Sequence, residues 1–564
     1  VAFNRHSAWR QTERERERVL ETVDRSLRFL EGLFGPYPLE QLHVATLPRD
    51  YSQSYAGFMT LTDSVVRPDP PRSENEMTWF RANTISHEMA HQWWGNLVGW
   101  WSYRDQWLSE AMANYIALLY YASEEGGGED SLADLSAGWK DSLVQTTAEG
   151  RTFESLGPVV LGARLNSSVA SNGYSAVVYR KGAVVLAMLA RAVGEERFLE
   201  MLRALVDAAE NRVLSTEDFL GALEHMSAID LQPFARQFIF GTGVPRIYYD
   251  YEIDRAEGGG WLLRGEASRL VLPRYDVRLE RDEAGMWDLR RDFHRGEEAG
   301  SAGLMVPFQV VVNDSAEGEG RPGAQDGRSA LRSGQIFLNG PADSFEITFE
   351  REPSELRLDP RGEILAYFHS AKKDPRRVGR YNALNLTAEG RLDEAEAGYL
   401  RALELPALPD SLAEPAPLFS DPRAAVLRET ARIRLALVRL YLDQGRLADA
   451  ASHLDLVDES FGPDRVSFRV ERDALRSRLE ILRGQYEPAF RRLKRTLRLA
   501  GPHRTDWRAM MVRVRLGSEW QAMIEAYALL AVAAYETGHL EDARWALQEA
   551  RDRGAGVDAL SGLL

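Results

Sequence analysis

The chain has 564 residues, 44% of them apolar and 27% charged, with ten histidines, no cysteine and a formal charge of −16. This length predicts roughly three to four packed domains, and the composition excludes global disorder. The absence of cysteine excludes disulfides, thiolate metal sites and a cysteine nucleophile, so a metal would have to be held by His, Asp or Glu. The acidic balance argues against a nucleic-acid partner, and the longest apolar runs, Gly182–Ala190 and Tyr527–Tyr535, are under half of the about 20 residues a membrane span needs. The compartment stays open, since a cysteine-free chain suits either side of a membrane.

In chain order, Val19, Val23, Leu27, Leu30 and Phe34 make one apolar stripe, predicting a helix over Thr12–Phe34 that Gly35-Pro36 stops. Leu42–Leu47 and Phe58–Leu61 read as short strands. Ser73 with Glu76 predicts a capping box opening a helix that runs through Trp94. Further helices are predicted over Asp105–Tyr121, Ala176–Val193 and Glu196–Ala209, with a loop at Glu124–Asp130. From about residue 246 β-branched and aromatic runs, such as Ile247–Ile253 and Phe308–Val312, predict a β-sandwich to residue 370, interrupted by a low-complexity loop at Asp314–Arg328. From about residue 376 the chain reads as helical. One pattern recurs there: Gly390/Ala395/Tyr399/Ala402, Gly445/Ala450/Leu454/Val457, Gly484/Ala489/Leu493/Thr496 and Gly538/Ala543/Leu547/Ala550. It resembles the second half of a tetratricopeptide repeat, but the glycines are 55, 39 and 54 residues apart. A degenerate α-solenoid with insertions is therefore expected, with generic helical hairpins as the plainer reading. The solenoid reading adds a concave surface for a protein partner.

The chemistry concentrates at His87-Glu88-Met89-Ala90-His91. Four residues are about one helical turn, so both imidazoles leave one face and reach a single divalent metal. The apolar flank of Ile85, Trp93, Trp94 and Leu97 predicts a buried helix, where two histidines and a glutamate need a common partner. Glu110 follows His91 after 18 intervening residues, in Trp107-Leu108-Ser109-Glu110, on a helix that would return it to the metal.

These residues resemble the gluzincins and, more narrowly, the membrane-alanyl aminopeptidase family. Gln92–Val98, Gly35-Pro36-Tyr37-Pro38, Gly157–Gly162, Tyr179-Arg180-Lys181-Gly182, Phe234–Arg246 and Leu358-Asp359-Pro360 extend the resemblance over residues 20–370. The resemblance implies a multidomain α+β architecture: a thermolysin-like zinc peptidase catalytic domain over 1–245, a β-sandwich over 246–370, and an all-α helical-repeat domain over 371–564. It implies one Zn²⁺ per chain on His87, His91 and Glu110, Glu88 as general base, Tyr179 as hydrogen-bond donor to the oxyanion, and peptide substrates. Tyr174 is a second candidate for the tyrosine role, and Asp105 is a candidate acceptor orienting a ligand.

Two departures stand out. The family's Gly-x-Met-Glu-Asn-like segment corresponds to Gln53-Ser54-Tyr55-Ala56-Gly57 here, and Ser54 occupies the place of the glutamate that pairs with a substrate's α-ammonium, 33 residues before His87. A hydroxyl cannot make that charge-assisted bond, so exopeptidase specificity is not implied. The family's N-terminal β-domain has no counterpart; it lies upstream in a longer protein or has been removed. The competing expectation is a weak or inactive peptidase fold that recruits a protein through its helical repeats.

Overall fold

In the computed structural model, residues 1–3, 12–66, 74–124, 138–140, 142–144, 152–165, 172–271, 274–294, 303–312, 330–406, 422–461, 468–500 and 520–564 are described. Ser73 and the loops expected at residues 125–130 and 314–328 lie outside them. The molecule is mixed α+β with a helical C-terminal region.

Helix α1 (Glu13–Phe34) begins at Thr12, whose hydroxyl accepts from Glu15 N–H while the Glu15 carboxylate accepts from Thr12 N–H. Its buried stripe includes Val19, Val23, Leu30 and Phe34. Strand β1 (His43–Leu47) runs parallel to β3 (Phe58–Thr62), which pairs antiparallel with a short edge strand, β2 (Gln53–Tyr55). The segment containing Ser54 is therefore one arm of a hairpin turning at Ala56-Gly57.

Helix α2 (Glu74–Ala90) ends four residues earlier than expected. Gln92 and Trp93 N–H bond to the carbonyls of Met89 and Ala90, tightening the last turn, and Gly95 at φ +134° reverses the chain. Strand β4 (Val98–Trp100) pairs with β5 (Arg212–Leu214), and α3 (Trp107–Ser123) packs on α2. The helix expected over Ala176–Val193 is two pieces: a π-helical turn, Ser175–Lys181, continues into α4 (Gly182–Val193). Helix α5 (Glu195–Ala208), α6 (Thr216–Ser227) and α7 (Gln232–Phe238) complete this part.

Strands β6 (Arg246–Arg255), β7 (Trp261–Arg269), β12 (Ala342–Phe349) and β14 (Tyr367–Ser370) form one sheet in the order β12-β7-β6-β14. Strands β10 (Leu304–Val312), β11 (Ala330–Leu338) and β13 (Pro353–Leu358) form another in the order β11-β10-β13. The two sheets share one core with the helices that precede them. Tyrosine hydroxyls tie them together: Tyr249 donates to Leu356 O at 3.3 Å, and Tyr251 accepts from Leu356 N–H at 3.2 Å. The loop before β14 grips the first part of the chain. Lys140 Nζ donates to Ile364 O and Ala366 O, at 3.1 and 2.9 Å, and Arg191 pairs with Glu363 at 3.0 Å.

The hairpin of β8 (Arg274–Arg281) and β9 (Trp287–His294) joins neither sheet. Its buried Val277, Leu279, Trp287 and Leu289 enter the core of the C-terminal helices instead. Trp287 Nε1 donates to Glu536, Tyr275 OH to Glu525, and Arg478 pairs with Asp288 and Asp443.

The C-terminal helices pair as α8 (Pro375–Ala388) with α9 (Leu392–Glu404), α10 (Pro422–Asp443) with α11 (Leu447–Phe461), α12 (Arg469–Leu482) with α13 (Tyr486–Ala500), and α14 (Trp520–Glu536) with α15 (Leu540–Asp552). The recurring glycines sit between the two helices of each pair, at φ +78°, +72°, +71° and +78° for Gly390, Gly445, Gly484 and Gly538. The recurring small and apolar positions after each glycine are all buried where the helices touch.

Candidate metal centre

The structure brings His87, His91 and Glu110 together, with their ligand atoms all within 4.8 Å of one another. His87 lies in the last turn of α2, and His91 lies just beyond its end. His91 N–H still bonds to His87 O at 3.3 Å, so the helical spacing carries over to the second imidazole. Glu110 comes from the first turn of α3. Its Oε2 is 3.6 Å from His87 Nε2 and 3.3 Å from His91 Nε2, and the two Nε2 atoms are 3.1 Å apart.

The far side of each ring is anchored. His87 Nδ1 faces Asn114 Oδ1 at 2.8 Å, and His91 Nδ1 faces Trp94 O at 3.1 Å. Both partners are acceptors, so each Nδ1 carries its hydrogen and each Nε2 is the ring nitrogen turned inward, open to a proton or a metal. In the metal-free chain a proton on His91 links the rings to the carboxylate; two inward imidazole nitrogens and one carboxylate oxygen are a donor set that fits a divalent metal in its place. Ser109 Oγ, 3.0 Å from both His91 Nδ1 and Trp94 O, braces the second ring. Asn114 and Ser109 were not anticipated, although one lies a helical turn after Glu110 and the other directly before it. Asp105 does not contact a ligand. Its carboxylate accepts from Thr216 N–H and Oγ1 and from Ser102, which makes it a loop-to-helix tie.

Titration follows the same geometry. Burial alone would lower the pKa of His91, but the hydrogen bond and charge of Glu110 raise it to about 9. Burial raises Glu110, and the two imidazoles outweigh it, holding the carboxyl well below the usual range. Glu88 is 6% exposed, and its Oε2 is buried without a hydrogen-bond partner. Burial pushes its pKa up, opposed by His87 and His91.

Tyr179 lies in the π-helical turn with its ring stacked on His87, centroids 5.8 Å apart and planes at 15°. Burial and then the charge of Glu110 push its hydroxyl well above the usual tyrosine range, so it stays protonated. Tyr174 packs edge-on to Tyr179 at 5.5 Å. Gly182, just past the turn, allows the chain to touch α3 beside Glu110, because a Cβ there would lie 2.5 Å from Ala111 Cβ.

The β2–β3 hairpin is fastened to this centre by Gln92, the residue after His91. Gln92 Oε1 accepts from Tyr37 OH at 2.9 Å and Gly57 N–H at 3.0 Å. A backbone N–H can only donate, so the amide orientation is settled and Nε2 donates to Ser54 Oγ at 2.6 Å and Tyr55 O at 2.9 Å. Ser54 is half-buried, whereas Gln53, Tyr55 and Ala56 are exposed. The Tyr55 ring stacks on Phe58.

Residues 18–238 match the Peptidase family M1 domain. Aminopeptidase M1-B of Oryza sativa subsp. japonica is 27% identical over 254 residues, which are 42% of this chain and 27% of that protein. Aminopeptidase M1 of Arabidopsis thaliana is 30% identical over 205 residues, 35% of this chain and 22% of that protein. Aminopeptidase N of Streptomyces lividans is 30% identical over 227 residues, 38% and 24%. The match thus spans about a quarter of these relatives' length. A crystal structure of Legionella pneumophila aminopeptidase A in complex with aspartic acid aligns with 94% of this chain and 57% of that one, at 13% identity and a TM-score of 0.44. No helix among the described residues is long and apolar enough to cross a membrane.

Proposed function

We propose, from the match of residues 18–238 to the Peptidase family M1 domain, that this chain is a zinc-dependent metallopeptidase acting on peptides. The observation that carries this reading is the convergence of two inward Nε2 atoms and the Glu110 carboxylate beside the unpartnered Glu88 Oε2. His87, His91 and Glu110 would hold one Zn²⁺. When bound, zinc supplies Lewis acidity, polarising a peptide carbonyl and making water a better nucleophile at neutral pH.

The chain's own groups do the rest. Glu88 Oε2 takes a proton from the attacking water, and its raised pKa suits it to pass that proton to the leaving amine. The Tyr179 hydroxyl, held protonated, donates to the oxygen that becomes negative as the carbonyl carbon turns tetrahedral. Ser54 Oγ already accepts from Gln92, so its own hydrogen is free to donate. A hydroxyl presented that way pairs with a carbonyl oxygen better than with an ammonium. This favours peptides whose N-terminal amine is not the point of recognition. We read residues 1–245 as a thermolysin-like catalytic domain, 246–370 as a β-sandwich that lends its β8–β9 hairpin to the helices, and 371–564 as a degenerate helical solenoid.

The test is a panel of fluorogenic peptides, with free and acetylated N-termini, on the parent and on Glu88→Gln, with metal analysis of both. About one zinc per chain in both proteins and an activity loss of about 10²- to 10⁴-fold in the variant are expected. Equal hydrolysis by parent and variant overturns the reading.

A further inference from the structure

Lys181 lies two residues beyond Tyr179, and its side chain is 0% exposed. Taking an ammonium out of water is costly unless its charge is paired and its hydrogens are bonded. An apolar side chain would fill the same space without that cost, so the position is not explained by packing alone. Lys181 Nζ donates to Glu154 Oε1 at 2.9 Å and to Gly241 O at 3.1 Å. Glu154, itself buried in the short helical turn Glu154–Leu156, accepts Gly243 N–H with both oxygens at 2.7 Å. One buried ion pair thus joins three separate segments: the π-helical turn, the turn at Glu154 and the loop at Gly241–Gly243.

The π-helical turn needs such a hold. Its wide ring gives poorer hydrogen-bond geometry than an α-helix, and it persists where its surroundings determine it. Gly182 N–H reaches back to both Tyr179 O and Val177 O. On one side the turn abuts α3 at Ala111, next to Glu110. On the other side it is held by Lys181. Tyr179 lies between these two holds, with its ring on His87.

We propose that the Lys181–Glu154 pair is a positioning element for Tyr179. It fixes the rotation of the π-helical turn against the Gly241–Gly243 loop, and so sets where the Tyr179 hydroxyl stands relative to His87 and Glu110. The proposal rests on the role given to Tyr179 above, and its test separates the two.

Four variants of the full chain are compared with the parent: Lys181→Met, Glu154→Gln, Tyr179→Phe, and Tyr179→Phe with Lys181→Met. Zinc content, urea unfolding, kcat and KM on a fluorogenic peptide are measured for each. Lys181→Met is expected to keep its zinc and to lose about 10- to 100-fold in kcat, the scale of a displacement of about 1 Å in a reacting group. KM should change less than about 2-fold, as for a group acting only in the transition state. In the Tyr179→Phe background the lysine change should cost less than a further about 2-fold, because the two residues act as one unit. Glu154→Gln keeps the side-chain shape, should show the same split between kcat and KM, and serves if Lys181→Met does not fold. Full kcat in either folded single variant overturns the proposal, as does a loss that multiplies undiminished onto Tyr179→Phe. An unchanged kcat in Tyr179→Phe itself overturns the role of that tyrosine, and the positioning role with it.

Discussion

Replacing Gly95 by alanine would strike the centre without touching a ligand. Gly95 stands at φ +134°, a conformation side-chain-bearing residues rarely adopt, and a Cβ there would lie 2.7 Å from Ser109 Oγ and 3.3 Å from His91 Nδ1. The cheapest relief is rotation of Ser109, which surrenders its bonds to Trp94 O and His91 Nδ1. The Ser109 hydroxyl is buried, so losing its partners costs about 1–3 kcal/mol. The backbone strain adds about 1–3 kcal/mol. Stability should therefore fall by about 2–6 kcal/mol, read as a shift in the urea midpoint of the metal-free protein at constant slope. Zinc affinity, measured by competition with a chelator, should fall about 10- to 100-fold, as for loss of a group that orients a ligand. Ser109→Ala removes the clash, so adding it to Gly95→Ala should cost less than the two changes apart. A Gly95→Ala protein within about 0.5 kcal/mol of the parent and with unchanged zinc affinity would refute the assignment of this turn as the support of His91.

Asn114→Ala leaves His87 without its acceptor, and zinc affinity should drop about 10- to 100-fold while the far-ultraviolet circular dichroism stays unchanged. In the metal-free protein His91 keeps its proton up to about pH 9. Zinc must displace it, so chelator competition should show affinity climbing as pH rises from 6 towards 9, with proton release visible in calorimetry across buffers. The same raised pKa gives the metal-free chain stability that is complete below about 6.5, the ordinary histidine value, and lost as pH rises through about 9. Gly445→Ala meets open space, so only its left-handed backbone opposes the change. It should cost about 1–2 kcal/mol in urea unfolding, and a cost near zero would mean the turn can relax.

Short-range features were legible because they are short-range. The stripe of α1 and the glycines of the helical hairpins each follow from residues close together in the chain, whereas the capping box of Thr12 with Glu15 was not anticipated. The pair His87 and His91 was legible for the same reason, and Glu110 through its helix. What escaped depends on meetings across the fold. Helix α2 stops at Ala90 because the chain after it folds back through Gly95 and β4, which no local signal announces. Asn114 and Ser109 look like ordinary small polar residues of an apolar helix until two imidazoles face them. Asp105 read as an acceptor orienting a ligand, and only the position of Thr216 shows that it ties a loop to a helix instead. The π-helical turn keeps the same apolar composition as the α-helix that follows, so periodicity could not separate them. Ser54 stood out in the sequence, but its bond from Gln92 depends on Gln92, Tyr37 and Gly57 meeting in space.

The excursion of residues 274–294 into the helical core bears on how this chain can be cut and recombined. A protein ended after residue 370 would carry the hairpin with Val277, Leu279, Trp287 and Leu289 turned out to water, a two-stranded apolar arm prone to self-association. The helices expressed alone would lack one wall, and Glu536, Glu525 and Asp443 would lose the Trp287, Tyr275 and Arg291 partners they now hold. Grafting a different set of helical hairpins onto the preceding part of this chain therefore requires transplanting the arm with them. For inheritance as for engineering, the natural seam of the molecule is not the gap between residues 370 and 375 but a path that encloses the hairpin on the helical side.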